Sequence, residues 1–267
     1  MPKKTTTQVG GKYAYRKPNV KFDFSIAELP WTKKQQTLIK LLQSRNTKCA
    51  LIKGCAGTSK TIVAIYAGLQ LLKQKKISDI TYVRSAVESS SVKLGFLPGD
   101  ITDKFAVYAA PLQDKLDELL TPNIIKSLVD ADHVQAMPVN YMRGLNFSGR
   151  LVILDESQNF TEDELITTIT RMGEHSRLWI LGDPNQSDLK GRCRTDFVNF
   201  CYKLRDDECV DNGIESFEFG VDDIIRSEFC KFVVKKLGIY EHAEDFGKLE
   251  IPEREPLLPP SVWSPSE

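Results

Sequence analysis

This chain of 267 residues has no excess of charge of either sign: 36 Lys and Arg balance 36 Asp and Glu. The balance excludes a global electrostatic pull toward nucleic acid, so any such binding must use a local patch. Histidine is scarce, with three in all. The six cysteines, Cys49, Cys55, Cys193, Cys201, Cys209 and Cys230, form no Cys-x-x-Cys pair. Cys193, Cys201 and Cys209 follow one another at intervals of eight, a poor zinc spacing. They read as small buried residues of a reduced, cytoplasmic protein. No apolar stretch approaches a membrane span, and the first residues lack a signal peptide's apolar core, so no membrane association is expected.

What is present is ordinary for a soluble globular chain, at 41% hydrophobic and 27% charged residues. The informative part is local. Ala50-Leu51-Ile52-Lys53 is an apolar run, and Gly54-Cys55-Ala56-Gly57-Thr58-Ser59-Lys60-Thr61 follows it. A strand that ends in a Gly-rich loop, with Lys-Thr opening a helix, is nearly a phosphate-binding P-loop. Backbone N–H groups of such a loop cradle a triphosphate. Lys60 reaches its β- and γ-oxygens, and the Thr61 hydroxyl faces Mg²⁺. The alternative is a chance Gly-rich turn. The loop departs from the strict pattern at Ser59, where glycine is expected. If that position needs a left-handed backbone, serine costs about 1–2 kcal/mol there.

A second run, Leu151-Val152-Ile153-Leu154, ends in Asp155-Glu156. In P-loop enzymes the first carboxylate supports Mg²⁺, and an adjacent glutamate suits polarisation of an attacking water. An ordinary acidic turn is the plainer reading. The two motifs 95 positions apart (155 − 60) are more specific together than either alone. A third run, Leu178 to Leu181, leads to Gly182-Asp183-Pro184-Asn185-Gln186. Gln186 at that tip is placed to sense the γ-phosphate, against the plainer reading of an Asp-Pro-Asn turn. Asn185 to Asp188 only loosely mimics a guanine-reading motif, since Gln186 stands where lysine is needed. With the Asp-Glu pair, this favours ATP.

Along the chain, residues 1–27 read as a basic flexible arm. Lys3, Lys4, Lys12, Arg16, Lys17 and Lys21 face only Asp23. The arm is either a contact for RNA or single-stranded nucleic acid, or a solvated tail. Residues 28–245 read as one domain, and 246–267 as a Pro-rich flexible tail. Within the domain, Thr32 to Leu42 is expected to be an amphipathic helix, Thr61 to Lys75 the helix after the loop, and Ile80 to Val83 a strand ending at Arg84. A helix is expected near Leu112 to Leu120 and a strand near Val134 to Met137. Thr161 and Glu164 form a capping box for a helix to Arg171. Helices at Thr195 to Leu204 and Asp222 to Leu237 flank a strand at Glu215 to Phe219. Strands alternating with helices predict an α/β fold, a parallel sheet covered on both faces. The 81 residues after Gln186 (267 − 186) are too few for a second motor domain beside a tail.

These residues together resemble the PhoH-like P-loop ATPases, over roughly residues 30–240. The resemblance is carried by Gly54 to Thr61, Arg84 to Val87 with Lys93 to Asp100, Met142-Arg143-Gly144, Asp155 to Asn159, Thr170 to Gly173, Gly182 to Leu189, and Asp223 to Arg226. It implies a RecA-like core akin to the first motor domain of superfamily-one helicases. It also implies ATP binding, a link to phosphate-starvation genes, a role in RNA metabolism, and a source among bacteria or tailed phages. By the same likeness Gln35 resembles the glutamine that reads adenine in helicase-like ATPases; its amide both donates and accepts. RecA-like domains often complete their site with a neighbour's arginine, for which Arg171 and Arg226 are candidates. A homo-oligomeric ring, such as a hexamer, follows from such contacts. Two functions stay open: an ATPase that remodels or unwinds RNA, and a nucleotide-gated binding module with little turnover that acts through protein partners.

Overall fold

The computed structural model describes residues 23–85 and 101–238. The Lys93–Asp100 segment, most of the basic arm, the Pro-rich tail and the boundary at 245 lie outside the described residues. Six apolar runs form the strands β1 (Cys49–Gly54), β2 (Ile80–Arg84), β3 (Val134–Pro138), β4 (Leu151–Asp155), β5 (Arg177–Gly182) and β6 (Ile214–Phe219). They make one sheet in the order β3-β2-β4-β5-β1-β6, and every pairing is parallel. The α/β expectation, a RecA-like parallel sheet with helices on both faces, is met.

Alternation along the strands explains the two faces. Ile153 of β4 and Leu181 of β5 point into one core. Their neighbours Leu154 and Ile180 point into the other. This is the period-2 geometry of a strand buried on both sides. The first core is covered by α1 (Lys33–Gln43), α2 (Lys60–Lys73), α3 (Ile101–Leu119) and α4 (Pro122–Asp130). The second is covered by α5 (Glu162–Ile169) and α6 (Asp196–Lys203). Helix α2 is apolar around most of its girth and is buried from Ile62 to Leu72 apart from Gln70. That suits a helix wedged between sheet and outer helices.

Some local expectations need correction. Helix α3 begins at Ile101 and passes through Pro111, whereas the sequence suggested a start at Leu112. Helix α4 and the short α7 (Asp207–Asp211) were not foreseen. The last helix is shorter than the pattern suggests. Val221–Asp223 is a 3-10 turn, Ile224 is extended, and α8 (Glu228–Lys236) starts only after Ser227, whose side chain caps Cys230 N. The break has a physical reason: the intervening residues reach out to the P-loop, and Ile225 N donates to the Gly57 carbonyl at 3.1 Å.

Candidate nucleotide-binding site

In a parallel sheet the strand ends carry the loops that bind ligands. Here β1, β4 and β5 end side by side, with β5 between the other two. Their loops are the three motifs of the sequence: Gly54 to Thr61, Asp155-Glu156 and Gly182 to Gln186.

Ser59 adopts φ 65°, ψ 29°, so the left-handed backbone considered at this position is real. Its side chain makes no capping bond to α2. Gly57 has φ 83°, and a Cβ there would stand 3.1 Å from the Arg226 Cβ. Lys60 is folded onto its own loop, with Nζ donating to the Gly54 carbonyl at 2.7 Å and the Cys55 carbonyl at 3.0 Å. Burial lowers its pKa, and the carboxylates of Asp183, Glu156 and Asp155 oppose that shift. Burial pushes the Cys55 thiol up to about 12, with Asp183 adding to the effect. Thr58 is buried and its hydroxyl donates to the Cys55 carbonyl at 2.8 Å, closing the loop.

The Thr61 hydroxyl donates to Asp155 Oδ1 at 3.0 Å, joining the two motifs directly. Tyr82, from β2, donates its hydroxyl to Asp155 Oδ2 at 2.5 Å. Asp155 is buried, and burial, then the neighbouring Glu156, raises its pKa; the Tyr82 hydroxyl, the Arg84 charge and the Thr61 hydroxyl pull it back. Among the described residues Asp155 forms no ion pair. A buried carboxylate beside a threonine hydroxyl, held by hydroxyls and without a paired cation, fits a hard divalent ion with oxygen ligands.

Glu156 leaves β4 with φ 54°, also left-handed. Its Oε2 accepts from Gln158 Nε2 at 2.7 Å, and the Arg84 guanidinium stands 4.0 Å from Oε1. A polar cleft of about 430 Å³ opens here, lined by Arg84, Glu156, Gln158, Asn159, Gln186, Ser187 and Asp188. Gln186 therefore shares a cleft with Glu156. Asp183, buried, accepts from the P-loop Ala56 N at 3.0 Å through Oδ2.

Gln35 lies against the loop, buried, with Nε2 donating to the Thr58 carbonyl at 3.4 Å. Its Oε1 accepts from Thr32 N at 2.9 Å in the capping box of α1. Each end of its amide is thus engaged once, which leaves one N–H and one oxygen lone pair for a further partner.

The two arginines that were candidates for a trans role sit in different places of the single chain. Arg226 lies on its own chain's P-loop, next to Gly57, because Ile225 is tethered there. Arg171 follows α5 and precedes β5, and its carbonyl accepts from Phe147 N. Its segment leads into the N-terminal end of β5, whereas the P-loop follows the C-terminal end of the parallel neighbour β1. The chain's own site does not include it. Sequence reasoning missed Tyr82 as the hydroxyl partner of Asp155, and Gln158 as the partner of Glu156. The second had a signal, since Gln158 lies within the Asp155 to Asn159 motif; a tyrosine inside an apolar strand gives none.

A family model described as PhoH-like protein matches residues 29–238. The chain is 33% identical over 188 residues to a PhoH-like protein of Mycobacterium tuberculosis, covering 70% of this chain and 52% of that one. It is 31% identical over 214 residues to a PhoH-like protein of Synechocystis sp., covering 80% of this chain and 62% of that one. It thus spans about half to three-fifths of the length of these curated relatives. A large terminase from a thermophilic bacteriophage, solved in complex with ADP, superposes with a TM-score of 0.49 at 12% identity, covering 78% of this chain and 50% of that chain. The family match takes in well over half of the chain and every motif of the P-loop site, and the chain belongs to the PhoH-like family.

Proposed function

We propose that this chain binds ATP with Mg²⁺ and hydrolyses it, and that hydrolysis is coupled to remodelling of RNA or another single strand by an oligomer. The observation that carries the ATPase reading is the 3.0 Å contact of the Thr61 hydroxyl with Asp155. It joins the phosphate-binding loop to a carboxylate 94 positions away, with Glu156 next in the chain.

The loop amides from Ala56 to Thr61 and the N-terminus of α2 favour a triphosphate. Lys60 exchanges the Gly54 and Cys55 carbonyls for phosphate oxygens. Thr61 and Asp155 would hold Mg²⁺, which when bound supplies neutralisation of phosphate charge. Glu156 accepts a proton from water as the water oxygen attacks the γ-phosphorus; the bond to the β–γ bridging oxygen breaks, leaving ADP and phosphate. Arg226, beside Gly57, adds positive charge at its own loop. Support for a nucleic-acid partner is the run of basic residues from Lys3 to Lys21 and family membership.

One observation favours the binding-module reading. Parts of the loop bond within the chain, through Lys60 on two carbonyls and Asp183 on Ala56 N, and nucleotide would have to exchange these contacts. Steady-state ATP hydrolysis with and without a panel of RNAs, run beside a mass measurement of the assembly, separates the two. Lys60→Ala is expected to abolish productive binding. Glu156→Gln is expected to keep binding and stop hydrolysis. Wild-type turnover in Glu156→Gln would overturn the catalytic role of Glu156 and favour the module.

A further inference from the structure

Gln158 is buried in the 3-10 turn that follows β4 and Glu156. Its amide bridges two loops. Nε2 donates to Glu156 Oε2 at 2.7 Å, and Oε1 accepts from Asp183 N at 2.9 Å. The amide orientation is fixed by chemistry: Asp183 N–H can only donate, so the atom facing it is oxygen, and nitrogen is left for the carboxylate. Asp183 in turn accepts from Ala56 N at 3.0 Å. An unbroken line of hydrogen bonds thus runs from a P-loop amide through Asp183 and Gln158 to the glutamate. The Gln158 carbonyl also accepts from the Ser187 hydroxyl at 2.9 Å, which ties the turn to the β5 loop a second time.

We propose that Gln158 is the positioning residue through which occupancy of the P-loop sets the placement of Glu156. The proposal rests on the ATPase reading. Ala56 N–H is one of the loop amides, and the Asp183 carboxylate accepts from it. A phosphate at the loop carries the same sign of charge as that carboxylate and competes for the same donor. Phosphate therefore displaces the Asp183 side chain and shifts the tip of β5. The Asp183 N–H moves with its residue, and the Gln158 amide, whose Oε1 accepts from it at 2.9 Å, follows. The opposite end of the amide carries the Glu156 carboxylate. Glu156 is in a left-handed backbone, a conformation kept only while surrounding contacts hold it. Arg84, at 4.0 Å, is the looser of the two contacts, so Gln158 decides the rotamer.

Gln158→Glu in the full chain tests this, because a carboxylate still accepts from Asp183 N–H but sets an acceptor against Glu156. Three quantities are read: kcat, affinity for a non-hydrolysable ATP analogue, and amide hydrogen exchange of residues 156–160 with and without that analogue. The expected result is a kcat lower by about 10- to 100-fold with analogue affinity within about threefold of wild type. The analogue changes exchange at 156–160 in the wild-type chain, and this response is lost in the variant. Unchanged kcat, or an exchange response equal to wild type, overturns the proposal. If the wild-type chain hydrolyses nothing, the ATPase reading fails, and the exchange response alone still decides for or against Gln158. If Gln158→Glu does not melt cooperatively, Asp183→Asn tests the other end of the line. Removing the competing charge should tighten analogue binding several-fold, and unchanged affinity overturns the displacement step.

Discussion

Ser59→Gly probes the one departure of the loop from the strict P-loop pattern. Ser59 is at φ 65° with no side-chain bond to the helix it precedes. A left-handed backbone costs a residue with a Cβ about 1–2 kcal/mol. Glycine removes that cost but gives up about 0.5–1 kcal/mol through its freer unfolded chain. The difference of the middle values is a gain of about 0.7 kcal/mol, which for a domain of this size raises Tm by about 1–3 °C. Calorimetry or a dye-based melt of the ligand-free protein measures this, and a Tm lowered by more than about 2 °C refutes the strain argument. Nucleotide titration tests the opposing effect. If the Ser59 hydroxyl donates to a phosphate oxygen, its loss costs about 1.5–3 kcal/mol, an affinity lower by about 10- to 150-fold. Among the described residues the hydroxyl makes no capping bond to give up, and tolerance of glycine with unchanged or faster turnover is expected. Ser59→Ala keeps the strain and removes the hydroxyl, so it separates the two contributions.

Arg226→Ala should lower hydrolysis with little loss of ATP affinity; because Arg226 lies on its own loop, mixing it with Lys60→Ala subunits should restore nothing, and recovered activity in a mixed assembly would return the residue to a trans role. Tyr82→Phe removes the hydroxyl at 2.5 Å from Asp155 and should raise the Mg²⁺ concentration for half-maximal turnover several-fold; an unchanged Mg²⁺ titration argues against Asp155 as the Mg²⁺ support. Arg177→Met removes the guanidinium that donates to the Leu42 carbonyl at 2.9 Å and the Ser44 carbonyl at 2.6 Å at the end of α1. The loss of about 1.5–3 kcal/mol should lower Tm by about 3–12 °C, and an unmoved Tm refutes it. Burial holds the thiols of Cys49, Cys55 and Cys201 at about 12, so at pH 8 only about one in 10⁴ is thiolate. Iodoacetamide followed by mass spectrometry should spare them in the native protein, and labelling of Cys55 at the rate of an exposed thiol sinks that placement.

The sheet was legible because each strand is a short apolar run with a sharp end. Leu151 to Leu154 stops at two acids, and Leu178 to Leu181 stops at Gly-Asp-Pro. The P-loop, Asp155 and Glu156 were legible because their spacing is local. Helix α3 was misread because Pro111 ordinarily ends a helix, yet here the chain continues through it. Helix α4 had a start signal that went unused, Pro122 as its first residue after Thr121. The last helix was overextended because the apolar spacing from Ile224 to Leu237 gives no hint that Ile225 is tethered to Gly57. The same tether put Arg226 at its own site, and a pairing across 168 positions (225 − 57) leaves no trace in local pattern. Gln158 shows the limit most clearly. Glu156 is its near neighbour in the same motif, but its other partner, Asp183, belongs to a loop that only the sheet order brings to it.

The left-handed turn at Glu156 sets folding and chemistry against each other at a single position. Asparagine and glycine enter that backbone region far more readily than glutamate does. A library of all substitutions at 156, sorted for melting temperature alone, should therefore enrich asparagine and glycine. The same library sorted for phosphate release should return glutamate. A copy of this chain that drifted to asparagine at 156 would keep its sheet and its grip on nucleotide while having stopped turning over, so the identity of this one residue would tell a working relative from an idle one.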